Sequence, residues 1–154
     1  MSLRLYLSAY QSHLWNRTLA RWLDQHVGGS LRRITLRLGE VPLAEHLSDE
    51  AREALANLQL PLATSRWKPE ENDPRLPLVE SVLAEEGLTL RDMQVRGVRE
   101  LFFSRGDRPA LARVEALEHS WADDERHVGR RKLTLSFRLP RGSYATLVVK
   151  AIVG

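Results

Sequence analysis

The first apolar residues of the chain recur at helical steps. Tyr10, Leu14, Leu19, Trp22 and Val27 follow one another at three- to five-residue intervals, and Leu7, Trp15 and Leu23 widen the stripe. This spacing predicts a helix from about Leu5 to Val27, closed by Gly28 and Gly29 as a C-cap pair. The period then changes to two. Ile34, Leu36 and Leu38 alternate with Arg33, Thr35 and Arg37, which predicts a strand over Leu31 to Leu38 with one buried and one basic face. Ser48 followed by Asp49 and Glu50 reads as the N-cap and acidic first turn of a short helix ending near Leu58. Pro61, Pro69 and Pro74 punctuate a polar loop around Trp67, and Asp73-Pro74 opens a helix through Glu86 that Gly87 stops.

The last third reads as mostly extended. Leu101 to Phe103 and Ala110 to Trp121 are predicted strands, broken by a turn at Arg105-Gly106-Asp107-Arg108-Pro109. A charged loop from Asp123 to Arg131 leads into the clearest alternation in the chain, Lys132 to Leu139, where Leu133, Leu135, Phe137 and Leu139 share one face. After Pro140-Arg141-Gly142, Ser143 is a candidate N-cap for Tyr144 to Val153. Leu147, Val148, Val149, Ile152 and Val153 suit a buried strand as well as a buried helix, so periodicity leaves that segment open. No internal repeat is visible. The predicted class is α+β, with N-terminal helices and a mixed region followed by an antiparallel hairpin and a C-terminal helix.

Composition narrows the class of protein. The 154 residues are 43% hydrophobic and 28% charged, which excludes disordered and low-complexity chains. There is no Cys, so disulfides, thiolate metal sites and thiol nucleophiles are excluded, in keeping with a reducing, cytoplasmic setting. No apolar run approaches the roughly 20 residues of a membrane helix, and no membrane partner is expected. The net charge of +3 is unevenly spread. Residues 1–39 carry six Arg against one Asp, residues 40–95 five basic against twelve acidic side chains, and residues 96–154 twelve basic against seven acidic. If the two basic ends meet, they make a positive face suited to nucleic-acid phosphates; the ordinary alternative is a solvated surface in an Arg-rich protein. The five His are scattered without metal-ligand spacing, and no metal is expected. No phosphate loop or nucleophile elbow is present. Glu85-Glu86 and Asp123-Asp124-Glu125 read as solvated charge clusters, and Asp107 as turn chemistry.

Two runs carry more specific information. Leu139-Pro140-Arg141-Gly142-Ser143-Tyr144-Ala145-Thr146 resembles the C-terminal motif of the TruD family of tRNA pseudouridine synthases. Leu7-Ser8-Ala9-Tyr10-Gln11-Ser12-His13-Leu14-Trp15-Asn16 resembles the same family's Ser-Ala-x-x-Ser-x-Leu-aromatic-Asn helix, and the stretch around Arg99, Glu100 and Arg108-Pro109 is similar too. The resemblance implies isomerisation of a uridine in the D arm of tRNA, uridine 13 by family. The N-glycosidic bond breaks, the base turns, and it rejoins through carbon, with no cofactor and no metal.

The resemblance also implies that residues 4–118 are part of a family-specific inserted domain and that residues 119–154 return to the catalytic domain. The family's catalytic Asp stands in a Gly-x-Lys-Asp motif of an N-terminal lobe, and that motif does not occur in this sequence. No catalytic residue is therefore expected in the chain, and the chain alone should be inactive unless another lobe complements it. By motif position Tyr144 takes the place of the aromatic that contacts the target base. Gly142 lets backbone approach closely, Ser143 orients the helix start, Arg138 and Arg141 flank the site as phosphate contacts, and Asn16 closes the first motif. A core position for Tyr144 and a purely structural Asn16 are the ordinary alternatives. The sequence departs from the family after Val149, where an Arg-Glu pair becomes Lys150-Ala151. The partner implied is tRNA. A non-catalytic RNA-binding or interaction module on the same scaffold is the competing expectation, and unpaired apolar surface predicts self-association.

Overall fold

A computed structural model describes residues 3–27, 31–36, 39–98 and 100–153. The chain divides into two compact units, residues 1–110 and 111–154. The α+β class is the one observed, with four helices and three two-stranded antiparallel sheets among the described residues.

Unit 1 is organised by α1 (Leu3–His26), which starts two residues earlier than the periodicity predicted. The expected Gly28-Gly29 cap lies outside the described residues. Two apolar clusters hold the unit together, and α1 enters both. Leu14 packs with Ala63, Val79, Val82, Leu83, Met93 and Phe103, while Trp22 and Leu23 pack with Leu55 and Leu78. The stripe facing them runs Gln11, Leu14, Thr18, Trp22, and two of these buried residues are polar. Thr18 is satisfied locally, its hydroxyl donating to the Leu14 carbonyl at 2.9 Å.

β1 (Leu31–Leu36) shows the expected alternation as far as it is described, with Ile34 buried between exposed Arg33 and Thr35; Arg37 and Leu38 lie outside the described residues. It pairs with β2 (Gly39–Ala44), in register Ile34↔Val41. β2 is not predicted by the pattern of the sequence: Pro42 disfavours a strand, but in a two-stranded ribbon a Pro can keep its missing N–H on the open edge. α2 (Asp49–Asn57) has the predicted cap, the Ser48 hydroxyl accepting from the Ala51 N–H at 3.1 Å.

β3 (Gln59–Pro61) is followed, after a long irregular stretch, by α3 (Leu76–Glu85). That helix starts later than Asp73-Pro74 suggested. The Asp73 carboxylate takes the Arg75 N–H at 2.9 Å and the Leu76 N–H bonds the Asp73 carbonyl at 3.0 Å, so these residues form a turn before the helix. Its end matches expectation. Gly87 sits at φ +69, its N–H reaching the Ala84 carbonyl while the Leu88 N–H reaches Leu83, a Schellman closure that requires a residue tolerant of positive φ.

Two predictions for residues 101–109 are corrected. Leu101 to Phe103 form no strand. Side chains take the carbonyls a ladder would use: Arg4 bonds the Glu100 carbonyl, Arg66 that of Phe103 and Gln11 that of Ser104. Conversely, Asp107–Pro109, expected within a turn, is strand β4, paired with β3 in register Leu60↔Arg108. Only a partner distant in sequence reveals it.

Unit 2 is a hairpin and a helix. β5 (Glu115–Asp123) starts five residues later than predicted, and a register shift between Glu115 and Glu118 accompanies Ala116 at φ 48. β6 (Arg131–Arg138) pairs with it, Trp121 opposite Leu133 and His119 opposite Leu135. α4 (Ala145–Val153) resolves the open final segment as helix. All buried apolar core residues among those described belong to unit 1, and α4 buries none.

Candidate nucleic-acid interface

The second sequence motif occupies the β6 to α4 connection. β6 ends at Arg138, whose Cα partner is Glu115. The chain then turns through Pro140-Arg141-Gly142, closed by the Ser143 N–H on the Pro140 carbonyl at 3.2 Å. Gly142 has φ +86, a conformation that other residues adopt at a cost. A Cβ there would meet nothing within 4 Å, so the backbone angle rather than crowding within the protein calls for glycine. The Tyr144 carbonyl accepts from the Leu147 N–H at 3.0 Å and starts α4 one residue later than expected, which moves the cap position from Ser143 to Tyr144.

This connection leaves the Tyr144 ring in the open. Tyr144 is 52% exposed, not packed in a core, while Ser143 is half-buried and Arg138, Arg141 and Gly142 are exposed. Among the described residues neither Arg138 nor Arg141 is in an ion pair. An open phenol ring at a helix start, with unneutralised guanidinium groups three and six residues before it, is chemistry suited to a base and its phosphates. On the same hairpin the Arg131 guanidinium lies 5.4 Å from the Trp121 ring centroid, a second exposed cation and aromatic pair.

The acidic clusters are explained locally. The Asp124 carboxylate accepts from the N–H groups of Arg126 and His127, which makes it part of the hairpin turn. A hydrogen bond from Lys132 is the main cause that holds the Glu125 carboxyl below its usual range. Glu85 and Glu86 pair with Arg17 and Arg21 of α1, and the Arg21 hydrogen bond is the leading cause that lowers the Glu85 carboxyl. Among the described residues no three His, Asp or Glu side chains gather as a metal ion would need.

The first motif has a different place. Gln11 is 2% exposed, and its amide nitrogen donates to the carbonyls of Ala63 at 2.9 Å and Ser104 at 2.8 Å while its oxygen accepts from the Ser104 N–H at 3.1 Å. Arg108 donates to the Ser12 hydroxyl at 3.1 Å, and Trp15 donates to the Leu60 carbonyl at 3.0 Å. The motif helix therefore clamps the similar stretch at 100–109, though Arg99 itself lies outside the described residues. Asn16 sits half-buried one turn beyond Ser12. The clamping role of Gln11 was missed in the sequence, although a polar residue within an apolar stripe is its signal.

A family model for tRNA pseudouridine synthase D (TruD) matches residues 2–152. The chain belongs to the TruD family. Three similar relatives bear the same name. A probable tRNA pseudouridine synthase D 1 of Methanococcus maripaludis is 27% identical over 96% of this chain and 38% of its own length. The tRNA pseudouridine synthase D of Aquifex aeolicus is 28% identical over 96% of this chain and 36% of its own. A probable tRNA pseudouridine synthase D of Methanopyrus kandleri is 30% identical over 98% of this chain and 32% of its own. The chain spans about a third of the length of these TruD relatives. Among its described residues no helix is long and apolar enough to cross a membrane.

Proposed function

We propose that this chain is part of a cytoplasmic enzyme that converts a uridine in the D arm of tRNA to pseudouridine, and that the catalytic Asp lies on polypeptide outside these 154 residues. The observation that carries the reading is the exposed Tyr144 ring, set at the head of α4 by the Gly142 turn within a chain of the TruD family. Tyr144 offers its face to the target base, worth about 1 to 3 kcal/mol for a stacked base. Gly142 and Ser143 hold the turn, Arg138 and Arg141 contact phosphates, and Asn16 acts on the motif helix. Residues 4–118 serve as inserted domain and residues 119–154 complete the catalytic domain.

Unit 2, residues 111–154, contains the whole of 119–154, and its build supports a role for that segment as part of a larger domain. A lone two-stranded hairpin is marginal in water, and α4 leaves Val149, Ile152 and Val153 exposed. A further lobe covering that apolar surface would supply both stability and the carboxylate. In its absence the same surface drives self-association, which sedimentation at rising concentration measures.

Incubating the chain with unmodified tRNA and assaying for pseudouridine tests the proposal. No turnover is expected from the chain alone, and turnover is expected when it is part of the complete enzyme. Pseudouridine formed by the 154 residues unaided would overturn the assignment of the carboxylate to another segment. Salt-dependent tRNA binding without turnover in any complemented form would favour an RNA-binding module instead.

A further inference from the structure

One exposed aromatic of unit 1 has no part in this reading. Phe102 is 52% exposed while its neighbour Phe103 is buried. Two guanidinium groups lie over its ring, Arg4 at 5.7 Å and Arg66 at 5.3 Å from the centroid. The backbone of the same segment holds both: Arg4 Nε donates to the Glu100 carbonyl at 2.8 Å, and Arg66 Nη2 donates to the Phe103 carbonyl. Arg4 comes from α1 and Arg66 from the stretch after β3, so parts of the chain far apart in sequence converge on one half-open ring.

Arg17, Arg21, Arg32, Arg33 and Arg75 of the same unit are each paired with a carboxylate. Among the described residues Arg4 and Arg66 are not, a property shared with Arg52, Arg91, Arg96, Arg105 and Arg108; what distinguishes these two is their place over one exposed ring. Each has committed one donor to a neutral carbonyl, which fixes its position without neutralising it, and the rest of the fork remains for an anion.

We propose that Arg4, Phe102 and Arg66 form a second RNA contact that takes an unpaired nucleotide, the base against the Phe102 ring and the flanking phosphates on the two guanidinium groups. The inference rests on tRNA being the partner of this chain. An acidic protein surface would satisfy the arginines but has no need of the open ring. Stacking with anchored cations is the combination by which single-stranded nucleic acid is held without reading its sequence.

The test is fluorescence anisotropy of the full chain with labelled tRNA and with oligouridylate, across a range of salt, with circular dichroism to establish that each variant is folded. Phe102→Leu should weaken oligouridylate binding by about five- to a hundredfold with an unchanged salt slope. Phe102→Tyr, which keeps a ring, should restore it. The double variant Arg4→Gln, Arg66→Gln should lower the salt slope on a single strand by about 1.4. Oligonucleotide carrying 5-iodouridine should crosslink to the peptide containing Phe102. If the wild type binds tRNA and the folded variants bind both RNAs with its affinity and slope, this contact is refuted and the tRNA reading stands. Equal loss in the Leu and Tyr variants refutes stacking. No tRNA binding by the wild type at low salt refutes both readings.

Discussion

Replacing Gln11 by Ala isolates what the first motif contributes. The side chain is almost wholly buried on α1 and makes three hydrogen bonds to two backbone segments more than fifty residues away. Ser104 is exposed, so its backbone groups can return to water when the amide is removed. The Ala63 carbonyl cannot do so as readily, because Ala63 belongs to the buried core cluster. An orphaned buried acceptor costs about 1 to 3 kcal/mol, and the lost methylene adds about 0.8 kcal/mol. The sum is roughly 2 to 4 kcal/mol, a large share of the ~5 to 15 kcal/mol that holds an ordinary domain. Urea unfolding followed by circular dichroism should show the midpoint falling by about 1 to 2 M. A sharper version is Gln11→Glu. The introduced carboxyl would face two carbonyl oxygens and have its folded pKa raised above the ~4.3 of the unfolded chain. Its stability relative to wild type should therefore be highest below about pH 4 and decline as pH rises toward neutrality. A loss below ~0.5 kcal/mol in the Ala variant would refute the clamp, since surface substitutions produce changes of that size.

Three further outcomes are expected. Asp73 is held below the usual carboxylate range, first by its hydrogen bonds from the Arg75 side chain and further by the Arg75 N–H and charge. Its contribution, about 1.5 to 3 kcal/mol for charge-assisted bonds, is present above the unfolded value near pH 3.9 and fades as pH falls through the lowered folded value. Stabilities of wild type and Asp73→Asn should thus differ at pH 7 and converge in acid titration monitored by tryptophan fluorescence. Gly142→Ala should cost unit 2 about 1 to 2 kcal/mol because φ there is +86, measurable as a lowered melting temperature; an unchanged or raised one would remove the backbone argument. Tyr144→Ala in the complete enzyme should leave thermal stability unchanged, since the ring is half exposed, yet lower pseudouridine formation about tenfold or more; equal activity would discard the stacking role.

Local chemistry was legible wherever a short stretch of residues decides its own conformation. The 3.6-residue stripe of α1, the Ser48 cap and acidic turn of α2, the Gly87 closure of α3 and the alternation of β6 each follow from interactions within a few residues. The run from Arg138 to Tyr144 could also be singled out, because a Gly between a strand and an apolar segment signals a special backbone angle. The exposure of Tyr144 could not, since an aromatic beside Leu147 and Val148 has the same sequence pattern whether its ring faces a core or solvent.

The places where the reading failed share one physical cause. β4 exists because β3 lies beside it, β2 because β1 does, and Leu101 to Phe103 is irregular because Arg66 takes the Phe103 carbonyl while Arg4 and Gln11 take those of Glu100 and Ser104 on either side. Arg4 and Gln11 lie more than ninety residues from their partners, which a periodicity argument cannot see. By itself the sequence determined the elements whose energy is local, the absence of thiol chemistry and the membership that its two motifs signal. Tertiary structure alone decided which backbone groups find partners, which polar side chains are spent inside the fold, and which rings and guanidinium groups are left exposed.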